Sequence, residues 1–413
     1  MIQDRRTVLK TAAAASLVPA VGLVPARARA QSTTIKIGVL NDQSGVYREI
    51  SGPNSVACVR QAVQDSGIAA KGVTVEVLSA DHQNKPDVGA TIARQWIDRD
   101  GVDVIVDVPN SAVALAVNSI VKEKNKAYFN SGGGTAELTG GQCSPNTIHW
   151  TYDTYMLAKS TGGAMVKTGG DSWFFITADY AFGHDLERNT TKFVQEAGGK
   201  VLGNVRHPLQ STDFSSYLLQ AQQSRAKVIG LANAGTDTIN SVKQAAEFGI
   251  TRRGTKIAVL LMFISDVHAL GLNTAQGLVC TASYYWDMND RTRAFAERVK
   301  GALNGARPGM GHAGCYASVL HYLKAVADMG AAAAKASGVE AVNRMKAMPT
   351  DDDCFGQGTI RADGRKLHPA YLFEVKAPGE SKAPWDYYKL LQTTSVDDAW
   401  RPTSEGGCSL VRT

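Results

Sequence analysis

Short apolar runs of strand length alternate with amphipathic stretches along most of this chain. Ile35 to Leu40 is a largely apolar run, and Asn41-Asp42-Gln43-Ser44-Gly45 turns out of it into Tyr47. Gly52-Pro53-Asn54 opens a helix with Val56, Val59 and Val63 at helical spacing. Val73 to Leu78 reads as a second strand. Asp87 is placed to cap the next helix, which carries Val88, Ile92 and Trp96 on one face. Val102 to Val108 is a third strand, ended by Pro109 and Asn110. Ser111 is placed to cap the helix of Val113, Leu115, Ala116, Ile120 and Val121. Ala127 to Asn130 forms a fourth strand, followed by the loop Ser131-Gly132-Gly133-Gly134-Thr135, and Ala136 to Leu138 starts another helix. Strand and helix in strict alternation predict a parallel, doubly wound sheet.

The pattern restarts after a polar stretch at 146–151. A helix spans about Asp153 to Lys167. Strands at Trp173–Ala178, Lys200–Arg206, Val228–Ala232 and Lys256–Leu261 then alternate with helices ending near Ala197, Gln223 and Phe248. This is a second α/β unit of the same kind. Leu278 to Tyr285 is a strand leading back towards the first. Helices are expected at Arg291–Leu303, Gly314–Asp328 and Val339–Met345. Thr359–Arg361, a turn at Asp363-Gly364 and Ala370–Val375 read as a hairpin. The tail from Lys376, rich in Pro, Lys and Ser, reads as a surface segment.

The stretch from Asp103 to Gly141 organises this reading. It holds two strand-to-helix turns in succession, and such turns present free backbone N–H groups where a parallel sheet ends. Three adjacent glycines let the backbone approach a small molecule without Cβ atoms in the way.

The N-terminus changes the charge balance. Asp4-Arg5-Arg6-Thr7-Val8-Leu9-Lys10 resembles a twin-arginine export pattern, an apolar run follows from Thr11 to Val24, and Ala28-Arg29-Ala30 fits a cleavage site. Of the 44 basic and 38 acidic residues of the 413-residue chain, five and one lie in the first 30 positions, so 39 and 37 remain, a net of +2. That is no electrostatic footprint for nucleic acid. The mature chain is expected in a bacterial periplasm after cleavage near Ala30. That compartment permits disulfides. Cys354 and Cys408, both in the Gly/Asp-rich C-terminal part, are the pair to expect first among six cysteines, although spacing leaves the connectivity open.

Catalytic signatures are missing. There is no G-x-S-x-G, no G-x-x-x-x-G-K-[ST] and no H-E-x-x-H, and the eight histidines are scattered. Asp351-Asp352-Asp353 reads as a solvated turn without calcium-loop spacing. No enzyme activity and no cofactor are expected.

Taken together, IKIGVLNDQSG, DVPNSAV, NSGGGTAELTG, DYAFGHDL, LANAGTDT with QAAEFGI, and GQGTIRADGR, in this order and spacing, resemble a type I periplasmic substrate-binding protein of ABC importers, of the Leu/Ile/Val-binding family. The resemblance implies two α/β lobes, each a mostly parallel sheet flanked by helices, joined by three crossings near Trp150, Thr281–Tyr284 and Phe355–Thr359. Lobe 1 would comprise 31–150 and 283–356, lobe 2 would comprise 151–282 and 357–376, and 377–413 would be a C-terminal extension. It also implies hinge closure on a small ligand, a membrane permease as partner, and a monomer. The ligand carboxylate would be held by Ser111, Ala112 and Val113 with Gly133, Gly134 and Thr135. Phe182 would be the second lobe's aromatic, and Asn233, Ala234 and Gly235 its strand-end loop. Tyr47, Phe263 and Tyr284 to Trp286, with Tyr285 at the centre, are candidate walls.

Amino-acid binders of this family hold the ligand ammonium with an acidic residue. The matching position falls here at Met262 or Phe263, with Asp266 out of register. The resemblance therefore implies a carboxylate with an apolar or aromatic body more readily than a zwitterion. Two other readings remain open from sequence: a cofactor-dependent redox enzyme exported folded, and a ligand sensor of the same fold.

Overall fold

The computed structural model describes residues 33–411; the export segment lies outside the described residues. Nine residues, Thr33–Asn41, form β1, whose Ile35, Ile37 and Val39 are fully buried. After it come α1 (Gly52–Asp65), β2 (Val73–Asp81), α2 (Pro86–Gln95), β3 (Val104–Asp107), α3 (Ser111–Glu123), β4 (Ala127–Asn130) and β5 (Thr147–His149). These strands make one all-parallel sheet in the order β2-β1-β3-β4-β5. Its alternating side chains divide between two cores. Val104, Val106 and Phe129 pack with α1, whereas Ile105 and Tyr128 pack with α2 and α3.

A second lobe follows: α4 (Thr154–Lys167), β6 (Ser172–Ala178), α5 (Ala181–Glu196), β7 (Lys200–His207), α6 (Ser215–Gln223), β8 (Val228–Ala232), α7 (Thr236–Glu247), β9 (Lys256–Val259), α8 (Ile264–Leu270), α9 (Leu272–Ala275) and β10 (Val279–Ala282). Its sheet, β7-β6-β8-β9, is again parallel. The chain then returns to the first lobe through α10 (Asp290–Lys300), α11 (Met310–Met329), α12 (Ala331–Ala336), α13 (Gly338–Ala347), β11 (Thr350–Asp352) and β12 (Gly356–Gly358). It ends with β13 (Ala370–Val375), β14 (Tyr388–Thr394), α14 (Val396–Ala399) and α15 (Thr403–Gly406). In both parallel sheets the chain reverses its winding direction beside the first strand of the lobe. Crevices for ligands open at such switch points, past the carboxyl ends of the strands.

Three passages join the lobes: 150–153, 283–289 and 359–369. The first and third run side by side, with His149 N–H donating to Gly364 and Lys366 N–H to His149. The third lies beyond Phe355–Thr359, because β12 pairs with β11 and keeps 356–358 on lobe 1.

Five sequence expectations are corrected. The disulfide joins Cys143 to Cys408, not Cys354 to Cys408. Cys354 is a buried free thiol in the β11–β12 turn, where its N–H is fixed by Asp352. The expected hairpin does not form, since β13 pairs with β10 and β14. The tail is no loose surface segment. It supplies β14, and its Trp400 is 2% exposed. Finally, Asn110 and not Ser111 caps α3, accepting from Ala112 and Val113, and α2 starts at Pro86 ahead of Asp87.

Candidate functional site

The two switch points face each other across the gap between the lobes, and the lobes are closed. Tyr47, just past β1, is 2% exposed and meets Tyr180, just past β6, hydroxyl to hydroxyl at 2.5 Å. Thr236 N–H, at the start of α7, donates to the Val46 carbonyl of lobe 1 at 3.2 Å. Gly235 makes this approach possible, because a Cβ there would lie 2.3 Å from the Val46 oxygen. Gly134 has the same role on the other side. A Cβ there would fall 2.8 Å from Phe182 and 3.1 Å from Tyr152.

The turns after β3 and β4 are built largely from their own side chains. Asn110 Oδ1 takes the N–H groups of Ala112 (3.0 Å) and Val113 (3.2 Å). Asn130 Oδ1 takes that of Gly133 at 3.0 Å. These three amides are thus committed within the fold. Ser111 Oγ accepts from Thr135 N–H at 3.1 Å. A hydroxyl that accepts still has a proton to donate, so Ser111 is the group of this set that can turn to an anion.

Tyr47, Gly134, Thr135, Phe182 and Gly235 meet the opposite lobe at this closure surface, and Ser111 is bonded to Thr135. Asn233 is turned away into lobe 2, where its amide bonds Thr238 (2.8 Å), Ser241 (3.1 Å) and His207 (3.2 Å). Met262, Phe263 and Tyr285 form a separate group around a void of about 10 Å³, room for about one water. Phe263 connects that void to the closure surface through an edge-on contact with Tyr152, 5.7 Å between ring centres.

The model of the periplasmic binding protein family matches residues 34–382. The chain belongs to that family. A periplasmic binding protein from Burkholderia mallei is 49% identical to it, with a TM-score of 0.88 over 92% of this chain and 99% of that one. A branched chain amino acid ABC transporter periplasmic ligand-binding protein from Burkholderia xenovorans LB400 is 38% identical, with a TM-score of 0.80 over 91% and 99%. The Leu/Ile/Val-binding protein homolog 6 of Brucella melitensis is 25% identical over 374 residues, 89% of this chain and 93% of that protein. Its family is that of solute-binding proteins of the periplasm. Among the described residues no helix is long and apolar enough to cross a membrane.

Three groups of this binding protein's cleft were not on the sequence-derived site. Tyr152 lies within the first passage, and its hydroxyl donates to the Gly132 carbonyl at 2.6 Å. Tyr180 and Asp185 sit within DYAFGHDL, the motif that pointed to Phe182. Asp185 Oδ2 accepts from Thr135 Oγ1 (2.9 Å), Ala136 N–H (2.9 Å) and Thr154 Oγ1 (2.6 Å), and so docks lobe 2 on the Gly-rich loop.

Asp237, the second residue of α7, is fully buried near Tyr47 and Tyr180. One oxygen accepts from Gln210 N–H at 3.2 Å, and Oδ1 is without a partner among the described residues. Burial pushes its carboxyl up to about 7. Below that pH the native state keeps a proton that an unfolded carboxyl loses near pH ~4. Ionisation of Asp237 therefore opposes folding, and its share of stability falls as pH rises between these two values. Asp237→Asn cannot ionise. Its stability relative to wild type is expected to rise by about 1.4 kcal/mol per pH unit across that window. Urea denaturation at pH 5 and pH 8 checks this, and a difference that does not change with pH would refute it.

Proposed function

We propose that this protein captures a small carboxylate with an apolar or aromatic body between its lobes. The observation that carries the reading is the placement of the Ser111 hydroxyl and the Gly133–Thr135 loop opposite Phe182 and Tyr152. A carboxylate would take the Ser111 proton there, and its body would part the aromatic rings. The β9–α8 turn offers Met262 and Phe263, with no charge. Asp266 is spent on its own helix, accepting from Phe263 N–H at 2.9 Å. Such a turn does not neutralise an ammonium, whose burial without a partner is costly.

One observation favours a second reading, an amino acid. The unpartnered Oδ1 of Asp237 belongs to a carboxyl whose charge reaches Tyr47 and Tyr180, and two of the relatives carry branched-chain amino acid names. Competitive calorimetry with leucine, phenylalanine and their deaminated analogues separates the two. Tighter binding of the deaminated acids supports the first reading, and tighter binding of the amino acids overturns it. With the ligand that binds, Ser111→Ala is expected to cost about 1–2 kcal/mol of affinity, the scale of a hydrogen bond to a charged group. An unchanged Kd would remove Ser111 from the site.

The remaining assignments follow from the same reading. Lobe 1 takes 33–150 and 283–358, and lobe 2 takes 151–282 with the strands that follow the third passage. The protein works as a monomer that delivers its ligand to a membrane permease. It reaches the periplasm by a twin-arginine signal cleaved near Ala30, and it carries out no catalysis.

A further inference from the structure

We propose that the C-terminal segment 395–408 is a strap that ties the lobes together across the hinge, and that the Cys143–Cys408 bond makes it a fourth interlobe link limiting how far they open. The strap begins on lobe 2. There β14 pairs with β13 and Lys159 of α4 donates to the Asp398 carbonyl at 2.5 Å; further along, Glu405 returns to lobe 2 and pairs with Lys192 of α5 at 2.9 Å. Its middle is plugged into the hinge itself. Trp400 Nε1 donates to His368 at 2.9 Å, the Arg365 guanidinium stacks 4.2 Å above the Trp400 ring, and Arg361 donates to the Arg401 carbonyl at 2.9 Å. Arg361, Arg365 and His368 all belong to the third passage.

The strap ends on lobe 1. Arg401 donates to the Ala136 carbonyl at 2.7 Å, and Cys408 is bonded to Cys143. The loop carrying Cys143 is fastened to α3, since Asn118 Nδ2 donates to the Gln142 carbonyl at 2.8 Å. Hinged proteins open by dihedral changes in the few residues that cross between lobes. Here the passages at 150–153 and 359–369 are overlaid by a segment anchored on lobe 2, on the hinge and on lobe 1. Noncovalent anchors of this kind fray locally and reclose. The disulfide removes that freedom at the lobe 1 end.

Hydrogen–deuterium exchange on the full-length mature protein without added ligand tests this, comparing wild type, the Cys143→Ser/Cys408→Ser double variant, and wild type treated with a phosphine reductant. The reduced wild type serves if the double variant does not fold. Exchange at 150–153 and 359–369 is expected to rise by about threefold or more once the bond is absent, with β1 and β6 unchanged. X-ray scattering should show a larger radius of gyration. Acceleration confined to 400–408 would overturn the proposal, as would equal acceleration throughout β1 and β6, which would make the bond a general stabiliser.

Discussion

Arg365→Ala is expected to lower the stability of this protein by about 3–5 kcal/mol, the cost of breaking a buried ion pair from one side. Arg365 is fully buried, and burial pulls its guanidinium down to about 10. It is held there by many partners. Nη1 faces Asp153 at 3.3 Å, Nε donates to the Lys366 carbonyl at 3.2 Å, and Nη2 donates to the carbonyls of His149 and Thr151. Truncation leaves the Asp153 carboxylate in the interior with its remaining bond to Met156 N–H. It also leaves the Thr151 carbonyl of the first passage without its donor, while the His149 carbonyl keeps Lys366 N–H, and it opens a hole under Trp400. A buried carbonyl without a partner costs about 1–3 kcal/mol. Arg365→Ala combined with Asp153→Asn should therefore lose less than the two single changes added together, because the stranded charge is gone. Urea denaturation of the four proteins measures the coupling. A single-variant loss under about 1 kcal/mol would mean that the guanidinium does not hold the first passage against the third.

Arg365 also marks the limit of what could be read along the chain. Elements whose pattern is local came through. The apolar runs of β1, β4, β6 and β8 are strands, and the turns that follow them carry Tyr47, Gly134, Phe182 and Gly235, which meet the opposite lobe. The cap of α3 went to the wrong neighbour. Asn110 and Ser111 are both good capping residues, and adjacency decides nothing between them. The side chain of Asn233 was not legible for a different reason. A polar residue at a strand end can face the ligand or buttress the loop, and its three partners at 207, 238 and 241 buttress it. The C-terminal segment was missed because its composition is that of a surface loop. The partner of Cys408 is 265 residues away, and tertiary contacts such as those of Trp400 with His368 and Arg401 with Ala136 bring it there. The role of Asp185 depends in the same way on a loop 50 residues earlier. Non-local pairing carries no periodicity for a sequence reading to detect.

Gly235→Ala is expected to weaken ligand binding by about thirtyfold or more, which corresponds to roughly 2 kcal/mol placed against the closed state. Two costs must be separated. Gly235 has φ 59° and ψ −134°, a region that L residues enter with strain. That strain is present whether the lobes are open or closed, so it lowers stability without touching affinity. The second cost exists in one state alone. The added Cβ would sit 2.3 Å from the Val46 oxygen and 3.1 Å from the Tyr47 ring, and both belong to the opposite lobe. Opening the hinge relieves this contact and closing it does not. A change that discriminates between two states shifts their populations by that difference and no more. Gly198→Ala supplies the control. Gly198 is in the same lobe with φ 86°, and a Cβ there meets nothing within 4 Å. Both variants should lose comparable stability in urea, and calorimetry should then show that Gly198→Ala keeps the wild-type Kd while Gly235→Ala does not. Equal affinities for the two would mean that Gly235 and Val46 do not meet in the ligand-bound state, and the closure surface would have to be redrawn around Tyr47 and Tyr180.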